Sequence, residues 1–245
     1  MELERLEQNT SNEYVKRTRL LDYDDPSIQQ LVQKRGWNNL SDQTKLIGMV
    51  YAFVRDEIAY GYEKSYSLTA SQTLGAKRGN CMTKTTLLMA LLRAVGIPCC
   101  FHATLVNKII LRGLAKGLAY KFIPEQLPHG WVEIFHKGNW LELEGHIIDK
   151  AYLQKLQAKF PDYMGSFYGF GIAVLNFKNP PNRWDEENTY VQDKAVEDDL
   201  GKFYSPDDFF RECPEAEQSI HRIRFNKYLI PAINSNINAI RGCQQ

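Results

Sequence analysis

The sequence has no excess of charge of either sign, because its 30 lysine and arginine residues are matched by 29 aspartate and glutamate residues. This balance gives no electrostatic reason to expect binding to nucleic acid or to an anionic membrane. The sequence also has no apolar run of about 18 residues, so we expect no transmembrane helix. Its N-terminus, "MELERLEQNTSNEYVKRTRLL", has no apolar stretch typical of a signal peptide, so we expect a cytoplasmic protein.

Cysteine is scarce, and its spacing does not indicate a disulfide framework. The five cysteines are Cys81, Cys99, Cys100, Cys213 and Cys243. An odd number of cysteines without regular spacing favours a reducing compartment. Cys99 and Cys100 lie close to His102 in the sequence, but neighbouring residues of a strand point to opposite faces. We therefore expect a packed strand there and no zinc site.

The sequence also lacks the common cofactor and metal motifs. The acidic runs at residues 185–187 and 197–199 do not belong to an EF-hand loop, so we expect them to be solvated. The glycines of "GSFYGFG" do not have the spacing of a phosphate-binding or dinucleotide-binding loop. We expect neither a cofactor nor a metal. His136 and His146, which lie in and after a predicted hairpin, are expected to be solvated.

The middle of the chain alternates between helical and strand patterns. The stretch from Ser41, a plausible N-cap, has apolar residues at helical spacing, and the helix predicted from Cys81 to Val95 is apolar almost all round. "CCFHATLV" predicts a strand, and "HGWVEIFHKGNWLELEGH" predicts a hairpin that turns at Lys137-Gly138. These patterns favour an α+β fold, with the cysteine helix packed on an antiparallel sheet.

The two ends of the chain show weaker patterns. Residues 160–204 predict one or two short strands with long loops, Ser205 begins a helix, and a last helix is predicted from about residue 219 to 240 with a kink at Pro231. We divide the chain into an N-terminal helical extension (residues 1–40), a core (residues 41–158) and a C-terminal extension (residues 159–245) that packs on the core as part of the same domain.

Cys81 has the position of a reactive cysteine, at the start of a long apolar helix after Gly79 and Asn80. A helix N-terminus presents unpaired N–H groups and a partial positive charge, and both favour a thiolate. Lys77 and Lys84 are expected, with Arg78, to add positive charge nearby. Most free cysteines are inert core residues, so this position alone does not establish a nucleophile.

A nucleophilic cysteine needs a base, and the predicted hairpin supplies one. The register set by the Lys137-Gly138 turn places His129 and Glu144 on one face of the hairpin, opposite apolar residues such as Val132. They become diagonal cross-strand neighbours, roughly 7–8 Å apart at the backbone. A carboxylate at that place would orient the imidazole and stabilise an imidazolium.

These segments together resemble the transglutaminase-like superfamily, a branch of the papain-like cysteine enzymes. The resemblance is carried by "RGNCMTKTTLLMALLRAVGIPCCF", by "HGWVEIFHKGNWLELE" and by the preceding helix "VYAFVRDEIAY", and it covers about residues 41–149. It implies a papain-like, transglutaminase-core fold. In that fold the cysteine helix packs on an antiparallel sheet that carries the histidine and the acid.

The resemblance also implies roles for individual residues. Cys81 takes the place of the nucleophile and His129 that of the base. Glu144 falls where the family usually has aspartate, and its extra methylene moves the carboxylate. Asp149 is a second candidate for the acid. Gln72 or Asn80 is a candidate to assist the oxyanion.

The expected function is cysteine-dependent acyl transfer to or from a peptide or other amide-containing substrate, with no nucleic-acid or membrane partner and the oligomeric state left open. Hydrolysis of an amide or peptide bond through an acyl-enzyme is favoured, because the chain lacks the extra domains of protein cross-linkers. Two alternatives stay open: a non-catalytic binding module on the same fold, and an acyl transferase of the arylamine type. Thiol reactivity discriminates the enzymes from the binding module.

Overall fold

The computed structural model describes residues 13–217 and 226–242. Within these residues the α-helices are α1 (Pro26–Lys34), α2 (Gln43–Glu57), α3 (Ala70–Ala76), α4 (Cys81–Ala94), α5 (Gly117–Lys121), α6 (Lys150–Lys159), α7 (Pro206–Glu212) and α8 (Asn226–Arg241). The strands are β1 (Ala59–Tyr60), β2 (Arg78–Gly79), β3 (Cys99–Asn107), β4 (Gln126–His136), β5 (Asn139–Leu143), β6 (Phe167–Gly169), β7 (Ile172–Val174) and β8 (Val196–Phe203). No helix in the described ranges is long and apolar enough to cross a membrane.

Several helices begin where side chains cap them. Asp25 accepts a hydrogen bond from Ser27 N at the start of α1, and Ser205 accepts one from Asp208 N at the start of α7. The start at Ser205 confirms the prediction from the sequence. Helix α2 is capped by Asp42, which accepts from Lys45 N at 3.0 Å, and not by Ser41 as expected. The start therefore lies one residue later than predicted.

Strands β5, β4, β3 and β8 form the main sheet in that order, and every pair is antiparallel. The predicted hairpin register is confirmed, because His136 pairs with Asn139 across the turn. Lys137 and Gly138 both have positive φ, 50° and 82°, which suits the tight turn of a twisted hairpin. The predicted α+β fold is confirmed, with the cysteine helix packed on the antiparallel sheet.

Helix α4 is the centre of the core. Every residue from Leu87 to Leu92 has 0% exposure, which confirms a helix buried on all faces. On one side it packs against β4 and β3, and on the others against α2 and α3. Because Cys81 is the first residue of this enclosed helix, the position of its side chain is set by the best-packed element of the molecule.

The segment between residues 160 and 204 contains more strand than expected. Strand β8 (Val196–Phe203) joins the main sheet beside β3, and β6 and β7 form a separate two-stranded sheet. The sequence of β8, VEDDLGKF, is mostly exposed at the edge of the sheet, so it lacks the apolar alternation that identifies a half-buried strand. Gly201, with φ of 84°, lies in this strand, and the β3–β8 pairing shifts register twice.

The proposed division at residues 41 and 159 stays a prediction. Part of the predicted last helix is seen as α8, which contains Pro231, and residues 218–225 lie outside the described ranges.

Candidate active site

Cys81 is held at the first turn of α4 by a capping box. The side-chain Oδ1 of Asn80 accepts hydrogen bonds from Met82 N at 3.0 Å and from Thr83 N at 3.3 Å. In return Thr83 Oγ1 accepts from Asn80 N at 3.1 Å. This reciprocal arrangement fixes the backbone on both sides of Cys81.

Gly79 is needed for close packing more than for a turn. A Cβ at this position would lie 2.6 Å from Thr83 Oγ1 and 2.9 Å from Lys84 Cγ, so no larger residue fits against the first turn of α4. The absence of a side chain at Gly79 therefore lets β2 pack closely against the start of α4.

His129 and Glu144 meet in the interior. His129 Nε2 donates to Glu144 Oε1 at 3.0 Å, and both side chains have 0% exposure. Strand β4 carries His129, and Glu144 follows the last residue of β5. The sequence placed the two residues together correctly, although a histidine at a strand end is more often solvated.

The second carboxylate oxygen of Glu144 is held by backbone from a distant segment. Val191 N and Gln192 N both donate to Glu144 Oε2, the latter at 2.9 Å. In addition, Glu144 N donates to Thr189 O at 2.9 Å. Residues 189–192 thus fix the acid that contacts His129. Sequence reasoning missed them because their contribution is made by backbone groups.

The Cys81 side chain lies beside the imidazole of His129. Burial on its own would lower the pKa of His129, but the attraction of a Cys81 thiolate and the bond to Glu144 outweigh it and raise this pKa to about 10. Since Nε2 binds Glu144, Nδ1 is the nitrogen left to face the sulfur. In the described ranges Nδ1 has no conventional hydrogen-bond partner. A protonated His129 in this position would stabilise a thiolate on Cys81.

Three buried tyrosines lie near enough to the thiol to be influenced by its charge. Burial, with a smaller effect of a Cys81 thiolate, raises the pKa of Tyr60, Tyr62 and Tyr66 well above the usual value of a phenol. Their hydroxyls therefore stay protonated at neutral pH, and those of Tyr60 and Tyr62 lie 3.3 Å apart. Cys81 itself keeps 7% exposure.

Asp149, the second candidate for the acid, has other partners. It accepts hydrogen bonds from Tyr60 N and Tyr152 N, each at 2.8 Å, and pairs with Arg241 of α8. The carboxylate that contacts His129 is that of Glu144.

The positive charges expected around Cys81 have specific partners elsewhere. Lys84 is fully buried, and its Nζ donates to Ile58 O at 2.8 Å and to Arg55 O at 3.1 Å, at the end of α2. Arg78 pairs with Glu63, and Lys77 is exposed. The cation beside the sulfur is therefore His129.

The expectation that His136 and His146 are solvated is wrong, because both are buried. His146 Nδ1 donates to Leu143 O at 2.8 Å, and burial lowers the pKa of this imidazole to about 3. His136 lies 2.9 Å from a carboxylate oxygen of Glu186. Sequence periodicity does not indicate that Leu143 and Glu186 are the partners of these two imidazoles.

A charged network lies on the sheet next to His129. Trp131 stacks on His102 with ring centres 4.4 Å apart, and His102 bonds Glu133 and Asp199. Among the described residues, ligand atoms of His102, Glu133 and Glu142 approach within 4.8 Å of one another. Glu133 is also paired with Lys202 at 2.5 Å, so this carboxylate has both His102 and a lysine as partners within the protein.

Of the two residues considered for oxyanion stabilisation, only Asn80 adjoins the thiol. Gln72 is exposed and forms the capping box of α3 with Thr69. The amide of Asn80 is fully buried, and its Nδ2 has no hydrogen-bond partner in the ranges that the structure describes.

Comparison with known families gives a match over this region. The model of the transglutaminase-like superfamily matches residues 32–145, which include Cys81, His129 and Glu144. The resemblance read from the sequence is therefore confirmed. Together with the contact between Cys81 and His129, this match supports cysteine-based catalysis in general terms.

Comparison with solved structures and with curated proteins adds little. The chain is similar to a crystal structure described as "a Putative Cysteine Protease from Cytophaga hutchinsonii", with 14% identity and a TM-score of 0.46. The similarity covers 80% of this chain and 47% of that one, so this chain spans about half the length of the protein it matches. No curated protein matches.

Proposed function

We propose that this chain, whose residues 32–145 match the transglutaminase-like superfamily, hydrolyses an amide or peptide bond through an acyl-enzyme on Cys81. The observation that carries the proposal is the buried series Cys81, His129 and Glu144, in which the histidine contacts both other residues. A nucleophile, a base and an orienting acid in this order are the arrangement that covalent acyl transfer requires.

In the first step the Cys81 thiolate attacks the carbonyl carbon of the substrate. A carbon–sulfur bond forms, and the π electron pair of the carbonyl moves onto its oxygen to give a tetrahedral oxyanion. Glu144 supports the positive charge of His129 during this step through its bond to Nε2.

The oxyanion then collapses and the carbon–nitrogen bond breaks. The leaving amine takes the proton from His129 Nδ1, which leaves a thioester on Cys81 and a neutral imidazole. Water next attacks the thioester and gives its proton to His129. When this second oxyanion collapses, the carbon–sulfur bond breaks, the carboxylic acid leaves, and the ion pair is restored.

Labelling with iodoacetamide at pH 6, followed by peptide mass spectrometry, tests the reactive pair. We expect Cys81 to react roughly tenfold or more faster than an ordinary thiol, because most ordinary thiols are protonated at that pH. Free glutathione serves as the reference for an ordinary thiol, because burial and nearby carboxylates raise the pKa of Cys213. The advantage of Cys81 should disappear in His129→Ala. A Cys81 that reacts no faster than glutathione would favour the non-catalytic binding module.

A second measurement identifies the acyl acceptor. The protein is mixed with an electrophilic peptide or amide probe, and the mass of Cys81 peptides is followed with and without an added primary amine. Release of the free acid in both conditions supports hydrolysis. Release as an amide of the added amine would instead assign the chain to the acyl transferases.

A further inference from the structure

The side-chain amide of Asn80 has a hydrogen-bonded oxygen, whereas its nitrogen has no hydrogen-bond partner among the described residues. Its Oδ1 accepts from two backbone N–H groups of α4, which fixes the orientation of the amide. Its Nδ2 is fully buried and has no partner within residues 13–217 and 226–242. Buried polar groups are nearly always hydrogen-bonded, and an exception needs an explanation.

The backbone N–H of Cys81 belongs to the residue that directly follows Asn80. Met82 N and Thr83 N donate to Asn80 Oδ1, and Lys84 N donates to Asn80 O at 2.9 Å. The N–H of Cys81 takes no part in these bonds. The start of helix α4 therefore carries two N–H donors that these bonds do not use, the backbone N–H of Cys81 and the Nδ2 of Asn80.

We propose that Asn80 is a catalytic residue whose Nδ2 donates a hydrogen bond, together with the backbone N–H of Cys81, to the oxyanion of the acyl-transfer reaction. The inference rests on the proposed function. The substrate carbonyl oxygen becomes negative when its π pair is displaced by the sulfur, and donors that are already oriented stabilise this charge. No proton is transferred by Asn80, so its amide is unchanged through both acylation and deacylation.

The position of Asn80 suits this role better than those of two other amide or indole donors. Gln72 is exposed and bound in the cap of α3. Trp131 Nε1 is also buried without a partner in the described ranges, but this ring stacks on His102 and follows the base in sequence. Asn80 precedes the nucleophile directly, and its amide is fixed by the cap of the same helix start.

The test separates two reactions of the same sulfur. Alkylation by iodoacetamide displaces iodide and forms no oxyanion, whereas acylation by p-nitrophenyl acetate passes through one. The variants Asn80→Ser and Asn80→Thr keep a side-chain oxygen that caps α4 but remove the NH₂ group. Asn107→Ser makes the same change at the cap of the 3-10 helix Lys108–Leu111, where Asn107 accepts from Ile109 N, and serves as the matched control.

We expect the acylation rate to fall roughly 100-fold in both Asn80 variants, as when one oxyanion donor is removed from an enzyme. The alkylation rate of Cys81 should stay near that of the wild type, and Asn107→Ser should change neither rate. An equal loss of both rates in variants that melt like the wild type would show a structural role and overturn the inference. So would unchanged acylation, or a wild type that is alkylated rapidly but never acylated. Slow alkylation of the wild type would instead refute the ion pair on which the proposed function depends.

Discussion

His129 and Glu144 are joined by a hydrogen bond of 3.0 Å in the complete absence of solvent exposure. Glu144 has one methylene more than the aspartate expected from family resemblance, and the structure shows how this length is used. The residue stands just beyond β5, and its second oxygen reaches the N–H groups of Val191 and Gln192. The carboxylate is thereby held at both oxygens, one by the imidazole and one by backbone.

Glu144→Gln should lower the rate of acylation by p-nitrophenyl acetate by roughly 100-fold to 10,000-fold, since a neutral amide cannot support the imidazolium. Its NH₂ group would also face two backbone donors or the imidazole N–H. Glu144→Asp, although it restores the usual family residue, should also be impaired, because the shorter chain cannot span from Gln192 N to His129 Nε2. Full activity in Glu144→Asp would contradict this account of the site.

Cys81→Ala should lower the pKa of His129 from about 10, because it removes the thiolate while burial still opposes the imidazolium. The titration can be followed by ¹⁵N NMR of the imidazole. In the wild type the raised pKa stabilises the fold fully below about pH 6.5, and this contribution is lost as the pH rises toward about 10. The variant should lose that dependence. His129 titrating identically in both proteins would refute the ion pair.

The part of the site that could be read from the sequence is the part set by local patterns. Helix spacing placed Cys81 at a helix start, and the turn at Lys137-Gly138 fixed which hairpin residues share a face with His129. Both depend on interactions within a few tens of residues, which periodicity records.

The rest depends on contacts between distant segments. The donors at residues 191 and 192 are backbone N–H groups, which residue type does not identify. The sequence likewise does not identify the residues that bury His146 and His136. The free Nδ2 of Asn80 is visible only once the bonds of the whole cap are known.

Lys84→Met should change how stability depends on pH. Burial lowers the pKa of Lys84 to about 7, with partial compensation by Asp149 and Asp56, so the unfolded chain binds this proton more readily than the folded one. In the wild type this lysine makes the free energy of unfolding rise between about pH 7 and its usual 10.5. Denaturant titrations across that range should show a smaller rise in Lys84→Met. The exposed Lys45→Met is the control and should leave the slope unchanged.

Arg241→Met should destabilise the fold by roughly 2–4 kcal/mol, because it leaves the carboxylate of Asp149 buried without its cation. Arg241 pairs with Asp149 at 2.5 Å, and their side chains are only 14% and 2% exposed. Burial opposes the charged form of Asp149, but the bond to Arg241 and backbone bonds outweigh it and lower the pKa of this carboxyl. This stabilisation is present above the usual pKa of 3.8 and is lost as the pH falls below it, so the difference between the two proteins should shrink in acid. Arg17→Met removes the exposed pair with Asp24 and should change the free energy of unfolding very little.

The loss of Arg241 should also affect the active site, since Arg241 donates to Tyr60 O and Asn234 of the same helix donates to Tyr62 O. If α8 is loosened, Tyr60 and Tyr62 should move and expose Cys81, which should increase the alkylation rate of Cys81. An unchanged alkylation rate in a destabilised variant would show that α8 does not hold Tyr60 and Tyr62 in place.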